Sequence, residues 1–499
     1  MLYIDDEGWV MEVTMTTGVI WDDGVEARFD AYVGELASRL CHADRVGPFT
    51  DYCIGLLLPG ERKSVEPMAA RLAPEKVGAK HQSLLGFIGE SGWSDDAVLS
   101  GIRDYTLPKI EMSQPITAWI VDDTSHLKKG IHSVGVGRQY CGRIGKVDNC
   151  QVAVTLSVAN EQASLPVMYR LFLQEDWCKD RERCRKAKVP DGVRYQTKVE
   201  ISLEQMMDAL SQNIRPGVVL ADAGYGYDSK FREGVSALTL MYCVGIHSDA
   251  MVWPSGCLPL PPRPWLGRGR PPSRPQRDDD HQPISAKDFA KTLPASAWHT
   301  ITWREGSNTA LSSRFAAVRV RSGHGDDDSL IEKRPEEWLL IEWPETEEDP
   351  IKFWMSTLPS NTTIEQLVCW AKMRWRIERD YEELKSEIGL SHFEGRGWRG
   401  FHHHATLCIA AYAFLVAERA AIPPSGPATT TFRQKSALPN SVKPCGATNP
   451  TRTARSGFHR FPQAPACHRS DPTLATVSLL PSTQPQAQPN FASTRLVTQ

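Results

Sequence analysis

Apolar residues return every three to four positions early in the chain. Phe29, Tyr32, Val33, Leu36 and Leu40 share one helical face, and shorter helical patterns follow around Met68 to Leu72 and Ser83 to Ile88. This period predicts an all-α N-terminal domain over residues 26–112, expected to bind DNA. At Ile116 the period becomes that of strands. Thr117-Ala118-Trp119-Ile120-Val121 is β-branched and aromatic and ends in Asp122-Asp123-Thr124-Ser125, while 133–136 and 150–158 read as two further strands. A helix over 201–210 precedes a short buried strand, Gly217-Val218-Val219-Leu220-Ala221, which stops at Asp222; 238–244 reads as the next strand. Strands alternating with helical patterns predict an α/β core, its first part spanning 113–248.

Proline and glycine then dominate from Trp253 to Arg277, which predicts a basic loop that is neither helix nor central strand. Beyond it, 298–303, 315–320, 338–343 and 352–356 alternate as antiparallel strands, so 249–360 is expected to be this loop and a small inserted β domain. Thr362-x-x-Glu365 has the form of a capping box and opens a long helix to about Ile388, within a second part of the core at 361–422. The apolar run from Ala405 to Ala417 is too short to span a bilayer and reads as a buried helix. Residues 1–25 are expected to be poorly ordered. A tail over 423–499, rich in Ser, Thr, Pro, Gln and Arg, is expected to be disordered.

Composition narrows this only a little. With 57 Lys plus Arg against 60 Asp plus Glu, the net charge of −3 exerts no general pull on nucleic acid, so any DNA site must be a local basic patch. Such patches are offered by the turn Gly60-Glu61-Arg62-Lys63-Ser64, by Lys76, Lys80 and His81, and by the run Lys179 to Lys188; a solvated helical surface explains each as well. Twelve cysteines without a C-x-x-C pair suit reduced thiols in the cytosol, and the N-terminus has no secretory signal pattern.

The chemistry-bearing residues are three acids: Asp122 and Asp222, each after a strand-like run, and Glu378 in the long helix. Arg374, Glu378 and Lys385 form a charged stripe, opposite an apolar seam of Ile377, Tyr381, Leu384 and Ile388. Taken singly, each acid has an ordinary explanation, since aspartates begin turns and Glu378 is an i,i+4 partner for Arg374. Taken together they suit a site where two Mg2+ ions about 4 Å apart, with Mn2+ as a substitute, assist displacement at a phosphodiester. The hard oxygen donors, with no competing His/Cys cluster, favour magnesium. Arg374, Lys385, Arg376 and Arg379 supply cations for DNA phosphates. His402-His403-His404 point in different directions on a helix, so one metal site using all three is not expected. Trp253, Trp298 and Trp303 are read as packing within the β insertion before stacking on an unpaired base, and Gly224-Tyr225-Gly226 and Gly395-Arg396-Gly397 as tight turns or phosphate loops.

With these residues in hand, the chain resembles bacterial insertion-sequence transposases of the DDE superfamily. The likeness covers about Phe49 to Pro424. It is carried by Trp119-Ile120-Val121-Asp122-Asp123-Thr124, Val134-Gly135-Val136-Gly137-Arg138-Gln139-Tyr140-Cys141-Gly142, Leu220-Ala221-Asp222-Ala223-Gly224-Tyr225-Gly226 and Glu394-Gly395-Arg396-Gly397-Trp398-Arg399-Gly400. The family's Tyr-x2-Arg-x3-Glu-x6-Lys signature matches at Arg374, Glu378 and Lys385, but Ala371 stands at the Tyr position.

The resemblance implies a ribonuclease-H-like catalytic core with Asp122, Asp222 and Glu378 as the catalytic and metal-binding triad. Asp123 competes with Asp122; the family pattern, an Asp followed by one residue and a hydroxyl, favours Asp122 through Thr124. It further implies an enzyme that cleaves at element ends and joins 3′-hydroxyls to target DNA. Such a protein would be a homodimer on paired ends, cytoplasmic, associated with the nucleoid when bound to DNA and with no membrane partner. The rival readings are a non-catalytic DNA-binding derivative and a metal-dependent nuclease on the same fold without strand transfer.

Overall fold

The computed structural model describes residues 23–421 apart from 143, 271, 273–274, 306–309 and 324–333, and the backbone of 2–4, 9–14 and 18–20. The tail over 423–499, expected to be disordered, lies outside the described residues. At the other end, where poor order was expected, three short strands, β1 (Leu2–Ile4), β2 (Trp9–Thr14) and β3 (Gly18–Ile20), pair antiparallel. The β-branched residues of Val10-Met11-Glu12-Val13-Thr14 suit this conformation.

Five helices follow, α1 (Asp23–Ser38), α2 (Val46–Leu57), α3 (Val65–Leu72), α4 (Val77–Gly89) and α5 (Asp95–Ser113), as the early period predicts. The Ser94 hydroxyl caps α5 by accepting from the Ala97 N–H.

The sheet begins with β4 (Ala118–Leu127), β5 (Gly137–Cys141), β6 (Lys146–Ala159) and β7 (Ser164–Leu171). Two expectations change here. Asp122 lies in the middle of β4, not at its end, because β6 supplies an antiparallel partner from Ala118 to Leu127. Residues 133–136 form a buried turn in place of a strand, with Gly135 at φ 68°. After α6 (Glu175–Lys179), α7 (Arg181–Lys186) and α8 (Lys198–Ser211) comes β8 (Val218–Ala221). Next are α9 (Ala223–Gly226), α10 (Ser229–Ala237) and β9 (Tyr242–Ile246). β9 starts later than expected, because the chain turns at Thr239, φ 60°, before entering the sheet.

Strands β8 and β4 are parallel, pairing Ala118 with Val218, Trp119 with Val219 and Ile120 with Leu220. Two residues further in the same register, Asp122 comes level with Asp222. Trp119 and Ile120 are consecutive and both fully buried, so both faces of the sheet are covered here.

The sheet continues through β10 (Met251–Pro254), β11 (Ile284–Ser285), β12 (His299–Glu305), β13 (Ala310–Ser322), β14 (Glu337–Glu342) and β15 (Lys352–Ser356), with α11 (Ala286–Thr292) between β11 and β12. The strands expected as a small inserted domain are joined to the core: β15 pairs antiparallel with β9, giving one twelve-stranded mixed sheet in the order β11-β10-β13-β14-β15-β9-β8-β4-β6-β5, with β12 on β13 and β7 on β6. The apolar sides of β14 and β15, with Leu339, Leu340, Ile341, Phe353 and Met355 buried, account for that fusion.

The long helix is divided. Its cap is Thr363 with Gln366, one residue beyond the expected box; α12 (Ile364–Met373) ends at Arg374, α13 (Trp375–Glu382) follows, and Glu383–Glu387 is a π-helical turn. The apolar seam is present, with Ile377, Tyr381, Leu384 and Ile388 buried. Last comes α14 (Trp398–Ala421), buried along most of its length against α5, α2, α4 and β7. No helix among the described residues is long and apolar enough to cross a membrane.

Candidate active site

Asp122 and Asp222 meet on neighbouring parallel strands, and each is held differently. Asp222 follows the last residue of β8 and caps α9, its Oδ1 accepting from the Gly224 N–H (2.9 Å) and the Tyr225 N–H (3.2 Å). This cap works because α9 lies flat on β9: a Cβ on Gly226 would fall 2.1 Å from the Gly245 carbonyl oxygen. Asp222 Oδ2 is left for another partner.

Asp122 accepts the Asp123 N–H on Oδ1 (2.8 Å) and the Arg374 guanidinium on Oδ2 (3.1 Å). Burial pushes its carboxyl up to about 7; Arg374 opposes this and the charge of Asp222 adds to it. An ion pair at 3.1 Å therefore does not supply enough positive charge to offset the desolvation of this acid beside a second one.

Arg374 is the joint of the site. It stands between α12 and α13, and while one nitrogen reaches Asp122, the other donates to Glu378 Oε1 at 2.6 Å. The i,i+4 pair that the helix alone would make is present, but its guanidinium also crosses to the sheet. The result links Asp122, Glu378 and, through strand register, Asp222. Glu378 is the accessible member, with 62% of its side chain exposed against 16% for Asp122.

Asp123 points elsewhere, as alternation along a strand requires. The Tyr225 hydroxyl donates to its Oδ1 (2.5 Å) and Lys198 pairs with its Oδ2. Burial, with Asp123 beside it, raises the Tyr225 hydroxyl well above its ordinary range, so it stays a donor. Neither Lys198 nor Tyr225 stands out in the sequence. The only signal is that Tyr225 lies in the Gly-Tyr-Gly turn after Asp222.

The other predicted cations are dispersed. Arg376 stacks over Trp375, Arg379 pairs with Glu383, and Lys385, within the π-helical turn, lies over the Tyr381 ring. Several candidate patches are ion-paired: Lys179 with Glu175, Lys186 with Glu182, Lys188 with Glu90, Lys80 with Asp51 and Arg62 with Glu394. Trp253 is buried, Trp298 packs on Trp343 and Trp303 on Phe315, in accord with packing roles. The three consecutive histidines diverge, as the helix requires: His402 turns to Leu171 N and Trp398 O, His403 to Ile88 O and Trp93 O, and His404 to Tyr52 and Gly389 O.

Among the described residues no three His, Cys, Asp or Glu side chains are drawn close enough to enclose a metal. The donor set nevertheless suits a hard divalent cation: two carboxylates on adjacent strands, one short of positive charge, and a third tied to them through Arg374.

Residues 35–310, more than half of the chain, match the family model described as DDE superfamily endonuclease. The chain belongs to this family. Asp122 and Asp222 of this DDE family member lie inside the matched residues, while Arg374, Glu378 and Lys385 lie beyond them. The chain is 33% identical over 172 residues to a protein of Microchaete diplosiphon described as a probable transposase for insertion sequence element IS701, a match covering 34% of this chain and 42% of that protein. The family member thus spans about two fifths of the length of that relative. Among solved structures it is similar to the piggyBac transposase in a synaptic complex with hairpin DNA, at 9% identity and a TM-score of 0.38, covering 80% of this chain and 73% of that one.

Proposed function

We propose that this DDE family member is a DNA transposase with a ribonuclease-H-like catalytic core, which cleaves at the ends of an insertion sequence and joins the freed 3′-hydroxyls to target DNA. The observation that carries the reading is the pair of contacts from Arg374 to Asp122 and Glu378, because one guanidinium ties the helix acid to a strand acid. Asp122 is the first acid in this reading, since Asp123 is committed to Lys198 and Tyr225.

Asp122, Asp222 and Glu378 would hold the divalent ions, magnesium or manganese, which when bound supply Lewis-acid activation of the attacking oxygen and stabilisation of the leaving one. The chain's own groups do the rest. The α9 cap fixes the Asp222 carboxylate, the Asp123 N–H fixes that of Asp122, and Arg374, paired to Asp122 and Glu378, is placed to pass to a phosphate when ions take those oxygens. Lys385, Arg376 and Arg379 add positive charge along the same helix. The five N-terminal helices are the second DNA-binding element, and two copies on paired ends form the working assembly.

The test is incubation of the full chain with labelled element-end duplex, target DNA and Mg2+, beside Asp222→Ala. Nicked and joined products that vanish in the variant are expected. Nicking without joined product would remove strand transfer from the reading, and no nicking by the unaltered chain would remove the chemistry altogether.

A further inference from the structure

The arginine-rich loop between β10 and β11 plays no part in the site described so far. From Val252 to Arg277 the chain holds five arginines, at 263, 268, 270, 274 and 277, and no lysine, aspartate or glutamate. Acids appear only at its root: Asp278, which turns onto His281, followed by Asp279 and Asp280.

The described part of this loop forms a finger whose base is closed. Leu260 and Gln276 exchange two backbone hydrogen bonds of 2.9 Å across its base, and the Gln276 side chain ties Arg263 to the Pro261 carbonyl. At the tip, Trp265 Nε1 donates to the Gly269 carbonyl (3.2 Å), leaving Leu266 92% exposed and Trp265 55% exposed. Arg268 and Arg270 are exposed, and no described carboxylate pairs with either. Gly267 and Gly269 have φ of 80° and 75°, and open space surrounds both. Their bare backbone therefore leaves room on either side of Arg268 for something outside the chain.

We infer that this finger is a minor-groove reader of A·T-rich duplex DNA, with Arg268 and Arg270 in the groove and Leu266 and Trp265 as the apolar wedge at its tip. Arginine without lysine fits, since the narrow A·T minor groove has enhanced negative potential and the weakly hydrated guanidinium enters it readily. Apolar wedges beside such arginines are the usual companions of minor-groove binding. A-form RNA has a wide, shallow minor groove and would not suit the finger. The inference rests on the transposase reading only for the choice of DNA as partner.

The experiment is fluorescence anisotropy on the full chain, in EDTA, with equal-length A·T-rich, G·C-rich and inosine·C duplexes, the last carrying an A·T-like minor groove. Binding to the A·T and inosine·C duplexes should be about tenfold tighter than to G·C. Arg268→Lys with Arg270→Lys should abolish the preference while keeping the net charge, with an unchanged circular dichroism spectrum. Equal affinity for all three duplexes, inosine·C behaving as G·C, a preference surviving in the double variant, or equal binding of an A·U RNA duplex would each overturn the inference. Cleavage assayed separately in Mg2+ keeps the two readings apart: A·T preference without cleavage sinks only the transposase, and cleavage without preference sinks only the finger.

Discussion

Arg374 is read incompletely from sequence, because a helix offers its guanidinium only Glu378, and the second contact to Asp122 comes from a strand 252 positions away. With both acids paired to it, Arg374 competes with any cation for the same oxygens. Arg374→Ala is therefore expected to tighten Mn2+ binding in the absence of DNA by on the order of tenfold, read by calorimetric titration; weaker or equal binding would show that the guanidinium organises the acids more than it blocks them. Gly226 carries a second residue-scale prediction. A methyl there meets the Gly245 carbonyl, so Gly226→Ala should lower stability by about 1–3 kcal/mol, measured by urea unfolding, and should loosen the α9 cap on Asp222. Asp122 and Asp222 were legible as candidates because each follows a β-branched run. Their equal level in the sheet was not, since register depends on pairing that no local pattern records.

At the scale of elements, strand and helix periods located most of the core, and the apolar seam of α13 was legible residue by residue. The break at Arg374 and the π-helical turn were not, because Glu, Lys and Arg favour helix throughout and the departures serve tertiary contacts. The fusion of the insertion to the sheet also escaped the sequence, because a strand edge gives no sign of which partner it will find. Helix α14 shows how a polar triplet sits inside a core. His404 accepts the Tyr52 hydroxyl and faces the Gly389 carbonyl, while His403 stacks on Trp93. Burial lowers both imidazoles from 6.5 to about 4. A base whose folded pKa is depressed is neutral in the fold while the unfolded chain takes up its proton, so stability is full above about pH 6.5 and declines as pH falls towards 4. The loss is at most about 3 kcal/mol per ring. Because the raised Asp122 and Asp380 carboxyls act in the opposite sense over this window, the measure is the urea midpoint of the unaltered chain relative to His404→Asn, which should fall from pH 7 through 5.5 to 4.5; a constant difference would contradict neutral burial.

Among the described residues, one large apolar cluster runs from Phe29 through the sheet to Val416. Tyr32 donates to the Ala410 carbonyl and Arg28 pairs with Glu418, so α1 is bound to α14. The N-terminal helices and the sheet should then unfold together. Scanning calorimetry is expected to give one transition, and an isolated 23–113 fragment should lack stable helix by circular dichroism; two resolved transitions would separate what the core joins. The common level of Asp122 and Asp222 has one more consequence, for how such a gene can change. Insertions in the connections between β4 and β8 need not disturb the acids, because strand pairing and not chain length sets their height. One codon gained or lost within either strand would turn an acid to the opposite face of the sheet. Length variation among related copies should therefore gather in the connections and be absent from the few residues before each aspartate, a pattern of tolerated indels that sequencing a set of copies can score.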